Sequence, residues 1–356
     1  MEQIIQPTPV EVNHEFENKN LKFYDAAKPP FRLCGIYYED GLYRRLPYSV
    51  AEATSPSVAS LSTKTSGGRV RFTVKGSSHV AIHVEGPGQG IWDVSSITGY
   101  HAFDMYNGTR FVAVSRPGTA KTAHEYMFWA DPSRENVMTL NFPLSGTVSA
   151  LYIGVDEGGV ITPAPDYGLD TPILFYGSSV TQGMCASRPG MIYQNHLSRW
   201  LDFNYTNLGF SGSAKAEPAI SAYVASLEPS IFVYDYDHNA KTPEYLEETH
   251  ERMFLEFRAK HPDTPVLFMS RPNRSTEGSV LYRRMKIVEK TYKNALERGD
   301  ENVWFIPGND LLDPEIETNY NVDGSHPNDL GFFSMAKAIK PVLEEMIAKV
   351  KARGIK

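Results

Sequence analysis

Two short motifs carry side chains whose chemistry fits together. Gly177-Ser178-Ser179-Val180-Thr181-Gln182-Gly183 follows an apolar run, and Asp323-Gly324-Ser325-His326-Pro327 precedes the last helix-like segment. Ester cleavage by serine needs a nucleophile, a base that takes its proton, a group that orients the base, and donors aimed at the developing oxyanion. Ser179 suits the first role, since it lies at the turn leaving an apolar strand, where Gly177 and Gly183 permit tight backbone geometry. Its own N–H is then placed to meet the reacting oxygen. His326 suits the second role and Asp323 the third, because three-residue spacing on one short loop places both side chains together. The plainer alternatives are a Ser179 that merely caps the following helix and a His326 that is a surface residue before proline. Finding both motifs in one chain favours the catalytic assignment.

Other reactive residues carry weaker signals. Arg188 follows the serine motif, and two roles are open to it: binding a polar substrate, or serving as a structural ion-pair partner. His238 and Asp237 are expected to shape the pocket or face solvent, with His238 a second candidate for substrate binding. Cys185 lies near Ser179, but no base is positioned by sequence to activate it, so packing is its expected role. His124-Glu125 and His250-Glu251 lack the second histidine of a metal helix. Both are expected at the surface, and neither a metal nor any other cofactor is expected. Trp92, Tyr100, His101 and Phe103 fit a strand core better than a sugar platform.

The elements that must hold these residues fall into two rhythms. From about Leu46 to Ile161 the chain reads as short strands, with Val70, Phe72 and Val74 alternating against polar neighbours and Asn107-Gly108 marking a hairpin. Strands at this spacing without helices between them predict a jelly-roll-like β-sandwich over residues 1–162. After the Pro-rich segment Thr162 to Pro172, apolar strands near Ile173, Tyr205, Ser230, Pro265 and Val303 alternate with helical segments. That order predicts a parallel sheet covered by helices on both faces over residues 170–356. In such a sheet sites gather at the carboxyl ends of strands, where the serine motif, Gly209 to Gly212 and Asp235 to Asn239 all lie.

Composition narrows the function classes. A net charge of −7 argues against a general nucleic-acid binder, and no apolar run approaches the roughly 20 residues that span a bilayer. The two cysteines, Cys34 and Cys185, fall in different predicted domains and are expected to be reduced. Met1 to Phe16 shows no basic stretch followed by an apolar one, so a cytoplasmic location is expected. The expected partner is a small-molecule or oligosaccharide ester. Homo-oligomerisation is compatible with the sequence, although no stripe in it marks an interface.

The motifs and their order resemble the SGNH or GDSL hydrolase superfamily, whose functional residues come from separated blocks. Ser179 matches the block I serine. Gly212, in Asn207-Leu-Gly-Phe-Ser-Gly212, matches the block II glycine whose N–H is an oxyanion donor. Asn239, ending Asp235-Tyr-Asp-His-Asn239, resembles the block III asparagine, whose amide is another donor. Asp323 and His326 match block V, where His is the base and Asp orients it. Two positions depart from the pattern: Ser178 stands where the name-giving motif has Asp, and block III lacks Gly-x-Asn-Asp. The resemblance covers about Thr171 to Lys351 and implies a flavodoxin-like three-layer α/β domain. With a β-sandwich before it, the chain is similar to a two-domain GDSL-like acylhydrolase branch and to carbohydrate esterase family 2. The activity so implied is a metal-free serine esterase that removes short acyl groups, such as acetyl, from a carbohydrate. A lipase, thioesterase or arylesterase of the same fold is the alternative, and an inactive carbohydrate-binding protein is a further one.

Overall fold

The computed structural model describes residues 7–17, 20–87, 90–118, 122–316 and 318–356, so the start of the N-terminal segment lies outside it. The chain forms two compact units. One is built from the residues up to Arg45, Thr63–Asp166 and Ser187–Gly190, and the other from Leu46–Ser62, Tyr167–Ala186 and Met191–Lys356.

The first unit is a sandwich of antiparallel sheets. One sheet runs in the order Lys22–Asp25, Ala150–Val155, His79–Glu85, His124–Trp129. The other runs Val160–Thr162, Arg69–Lys75, Asn136–Asn141, Asp104–Asn107, Arg110–Val114, with Arg32–Cys34 also pairing along Arg69 to Arg71. Alternation sends Val70, Phe72 and Val74 of one sheet inward to meet Val80, Ile82 and Val84 of the other, and the polar residues between them point away. The hairpin signalled by Asn107-Gly108 forms one residue later than expected, since Asn107 pairs with Arg110 and Gly108-Thr109 make the turn, with Gly108 at φ +56°, a conformation costly for residues that carry a Cβ.

The stretch after Leu46 departs from the strand expectation. Tyr48–Thr54 and Pro56–Ser62 are helices, and their Ala51 and Val58 join the apolar core of the second unit. Alanine and serine dominate both segments, a composition that neither packs a pleated sheet nor shows strict alternation. Short strands at Tyr37–Glu39 and Leu42–Arg44, together with Lys22–Asp25 and Arg32–Cys34, lie earlier than the sequence pattern indicated.

In the second unit five parallel strands, β1 (Leu169–Gly177), β2 (Phe203–Gly209), β3 (Ile231–Asp235), β4 (Val266–Met269) and β5 (Val303–Ile306), lie in the order β2-β1-β3-β4-β5. Period-two alternation sends Leu174, Tyr176, Phe232, Tyr234 and Phe268 to one face. There they bury against Ile220 and Val224 of Pro218–Ser226, Phe254 and Phe257 of Pro243–Lys260, and Val288 of Val280–Glu297. On the opposite face Phe175 packs edge-on against Tyr193 of Tyr193–Leu201, which stacks on Phe332 of Asp329–Ala352. The result is the predicted three-layer α/β domain. Its strand order reverses direction beside β1, which opens a crevice at the carboxyl ends of β1 and β3.

Candidate active site

Ser179 leaves the end of β1 as the first residue of a four-residue helix, Ser179–Gln182. A helix this short cannot hold itself, because nucleation costs more than its few bonds return. Its neighbours hold it instead. The Thr181 hydroxyl donates to Asp235 Oδ2 at 2.7 Å, and Gln182 Oε1 accepts the Ser211 N–H at 2.9 Å. The Thr181 carbonyl receives the side-chain amides of Gln194 at 2.7 Å and Asn207 at 2.8 Å. The fit is close enough that a Cβ on Gly209 would lie 2.2 Å from Gln182 N, and one on Gly177 would lie 2.2 Å from Thr181 Oγ1. The capping role falls to Ser178, whose Oγ accepts the Val180 N–H at 3.2 Å, and Ser179 Oγ is left for other work.

That work is visible in a relay. Ser179 Oγ donates to His326 Nε2 at 2.9 Å, and His326 Nδ1 donates to Asp323 Oδ2 at 2.8 Å. The other Asp323 oxygen accepts the N–H groups of Ser325 at 2.9 Å and His326 at 2.8 Å, a turn that sets the three-residue spacing. Gly324 within it sits at φ +81°. Burial would raise the Asp323 carboxyl, but the N–H and ring donors of His326 outweigh it and hold the group below its usual range. Asp323 is therefore an anion at neutral pH and fixes the imidazole with Nε2 facing the serine.

Three further donors belong to neighbouring strand ends. The N–H groups of Ser179 and Gly212 have no hydrogen-bond acceptor among the described residues, and Gly212, at φ +68°, is exposed beyond β2. Asn239, beyond β3, uses its Oδ1 to accept the Ala214 N–H at 3.4 Å, an orientation that turns its amide nitrogen the other way. That bond ties the β3 loop to the β2 loop, and the Phe210 N–H bound to the Gly177 carbonyl at 2.8 Å ties the β2 loop to β1.

Around this relay Asp235, Arg271 and Arg284 gave no signal in the sequence, while Asp237, expected to shape the pocket or face solvent, is buried. Asp235 is buried, and burial together with the neighbouring Asp237 pushes its carboxyl up to about 7. Asp237, also raised by burial, accepts the Arg271 N–H at 3.0 Å. Arg284 donates to the carbonyls of Asp237 at 2.7 Å and Ala240 at 3.0 Å, bracketing Asn239. Arg271, at the end of β4, reaches both His238 and Ser325. These are ordinary acidic and basic residues at unremarkable spacings, and tertiary packing alone brings Arg271 and Arg284 to the loop that carries Asp237.

The weaker candidates are placed as follows. His238 is half-buried, and burial with Arg271 and Arg284 nearby pushes it down to about 4, so it is neutral at physiological pH. Arg188 lies with the first unit, where it donates to Asp104 Oδ2 at 2.6 Å and to the Tyr106 hydroxyl at 2.7 Å, its guanidinium 3.9 Å from the Phe111 ring centre. This is the ion-pair alternative for Arg188. Cys34 and Cys185 are both buried, and neither is in a disulfide. His250 corrects the surface expectation for His250-Glu251. It is fully buried, stacked 4.5 Å from Tyr234, and bonded to Thr291, because the 3.6-residue period turns it inward while Glu251 faces Arg298. No group of side chains suited to a metal occurs among the described residues. Of the four aromatic-stretch residues, His101 and Phe103 are buried, Tyr100 is half-buried, and Trp92 is 37% exposed.

Residues 170–344 match the model of the GDSL-like lipase/acylhydrolase family, and residues 21–161 match that of the N-terminus of SGNH-hydro-type esterases. The two halves of the chain thus carry the sequence patterns of an SGNH/GDSL-type esterase, and the activity class they support is ester hydrolysis. No curated protein matches the chain in sequence. Among solved structures it is similar to a protein from Bacteroides ovatus described as a GDSL-like lipase, at 25% identity and a TM-score of 0.82, covering 92% of this chain and 98% of that one. It is also similar in fold to the salicylyl-acyltransferase SsfX3 of a tetracycline biosynthetic pathway, at 16% identity and a TM-score of 0.75 over 96% and 100% of the two chains. A family two carbohydrate esterase from Cellvibrio japonicus shares the fold at 14% identity and a TM-score of 0.62, over 92% and 98%. Like the two family models taken together, these matches extend across both units of the chain.

Proposed function

We propose that this protein removes a short acyl group, acetyl carried on a sugar, through an acyl-enzyme formed on Ser179. The observation that carries the mechanism is the relay from Ser179 to His326 to Asp323 at 2.9 and 2.8 Å. Ser179 Oγ attacks the ester carbonyl while His326 Nε2 takes its proton, and ionised Asp323 stabilises the imidazolium. The oxyanion is received by the N–H groups of Ser179 and Gly212 and by the Asn239 amide. His326 then returns the proton to the departing sugar hydroxyl. Water attacks the acyl-enzyme with His326 as base again, releasing acetate and restoring Ser179. No step calls on a metal or other cofactor.

The substrate preference is supported by the polar groups gathered around the relay, which include His238, Arg271 and Ser325. A long acyl chain would need an apolar lining in their place. The fold shared with carbohydrate esterases points the same way. A well-formed relay also weighs against an inactive binding protein.

Hydrolysis of p-nitrophenyl esters from acetyl to octanoyl by wild type and Ser179→Ala, with acetylated oligosaccharides in parallel, tests the proposal. The expected result is Ser179-dependent activity that falls steeply after acetyl. Activity rising with chain length would establish the lipase alternative. Folded wild type inert on every ester would overturn the proposal.

A further inference from the structure

We infer that Arg271 is a positioning residue that locks the loop of the base to the loop of the oxyanion donor. The inference rests on the Ser179–His326–Asp323 reading. The loop carrying His326 is shaped from within: Asp323 accepts the Ser325 and His326 N–H groups, Asn321 Oδ1 accepts the Gly324 N–H, and the Val322 N–H reaches the His326 carbonyl. Such bonds fix the form of a loop but not its place relative to β1, where the nucleophile sits. Arg271 supplies that second constraint. From the end of β4 its Nη2 donates to the Ser325 hydroxyl at 2.7 Å and to the Ser325 carbonyl at 3.1 Å, one residue before the base.

The same guanidinium turns its Nη1 to the His238 ring, 3.0 Å from Nδ1 and 3.2 Å from Nε2. His238 immediately precedes Asn239, and it is held neutral, so it accepts from the cation rather than repelling it. The backbone of Arg271 is pinned in turn by Asp237 of the same β3 loop. One planar fork thus spans the β3 loop and the His326 loop with fixed geometry, a task for which the flexible point charge of lysine is a poor substitute. A misplacement on the order of 1 Å costs about 10² in rate. The ester meets Ser179, His326 and the oxyanion donors, and Arg271 acts only through them.

The test measures kcat and KM on p-nitrophenyl acetate for wild type, Arg271→Ala, Arg271→Lys, Ser325→Ala and the Arg271→Ala/Ser325→Ala pair, with thermal melts alongside. Arg271→Ala is expected to lower kcat about 10- to 100-fold with KM changed less than about 3-fold. Guanidinium at low millimolar concentration should restore a measurable part of kcat, and lysine should restore less than the full rate. Ser325→Ala should lower kcat a few-fold in the wild-type background and leave it unchanged in the Arg271→Ala background. Equal effects of Ser325→Ala in both backgrounds, or full kcat in folded Arg271→Ala, would overturn the inference. Should Arg271→Ala fail to fold, the same cycle run with Arg271→Lys decides. Ser179→Ala separates the two levels of argument, since undiminished hydrolysis there refutes the site itself, whereas a dead Ser179→Ala beside a fully active Arg271→Ala refutes only the role of Arg271.

Discussion

Asp323→Asn isolates what the carboxylate does for the base. Asn keeps one carbonyl oxygen, which continues to accept the Ser325 and His326 N–H groups that Asp323 Oδ1 receives at 2.9 and 2.8 Å. The turn therefore survives. The amide nitrogen replaces Oδ2, 2.8 Å from His326 Nδ1, and sets donor against donor. The imidazole escapes by moving its proton to Nε2, the atom that must accept from Ser179. A lost charge-assisted hydrogen bond, worth about 1.5–3 kcal/mol, alone lowers the rate roughly 10- to 100-fold. The wrong tautomer adds to this, and the equivalent change in a serine protease triad costs about 10⁴ in kcat. Here the Asp323 side chain is 21% exposed and that of His326 13%, so water shares the solvation of the imidazolium. The expected fall in kcat is accordingly intermediate, about 10²–10³. Steady-state hydrolysis of p-nitrophenyl acetate at neutral pH reads it, with circular dichroism as the control for folding. A folded Asp323→Asn protein within about 3-fold of wild type would refute the orienting role.

Further expectations concern the oxyanion donors, the serine turn and the buried acids. Asn239→Ala should lower kcat about 10²–10³ if its amide meets the oxyanion, and a near-wild-type rate would reject that role. Ser178→Ala removes the cap of the Ser179–Gln182 helix and should cost about 1 kcal/mol in chemical denaturation, with little change in stability counting against the cap. Gly209→Ala forces a Cβ to within 2.2 Å of Gln182 N, and should destabilise by about 3 kcal/mol and depress kcat; a native melting curve would contradict the packing argument. Asp235 has its folded pKa raised to about 7 from an unfolded value near 3.9. Its contribution is thus fully present below about pH 4 and lost as pH rises through about 7. Asp235→Asn, which still accepts from Thr181, should gain thermal stability relative to wild type as pH goes from 5 to 8, and a difference that does not change with pH would refute the assignment.

The local sequence determined more of this protein than its distant partnerships. Apolar runs separated by helical stretches announced the parallel sheet, because right-handed crossovers leave few alternatives for that rhythm. Asn107-Gly108 announced its hairpin, because little else tolerates positive φ there. The Asp323 and His326 pairing was legible for the same reason, being made by a turn of four residues. The strand pattern failed after Leu46, where two alanine- and serine-rich helices take their burial from the second unit, a partner no local window includes. It was silent about Arg271, Asp235 and Arg284, whose spacing in the chain is unrelated to their spacing in space. Their roles depend on β4 lying beside β3 and β3 beside β1, an order set by how helices cover the two faces of the sheet. The identity of the chemical groups was thus written in short motifs, where chain connectivity limits the geometry. Their alignment was decided by tertiary packing, where long loops must be closed and only the whole set of contacts offsets that entropy.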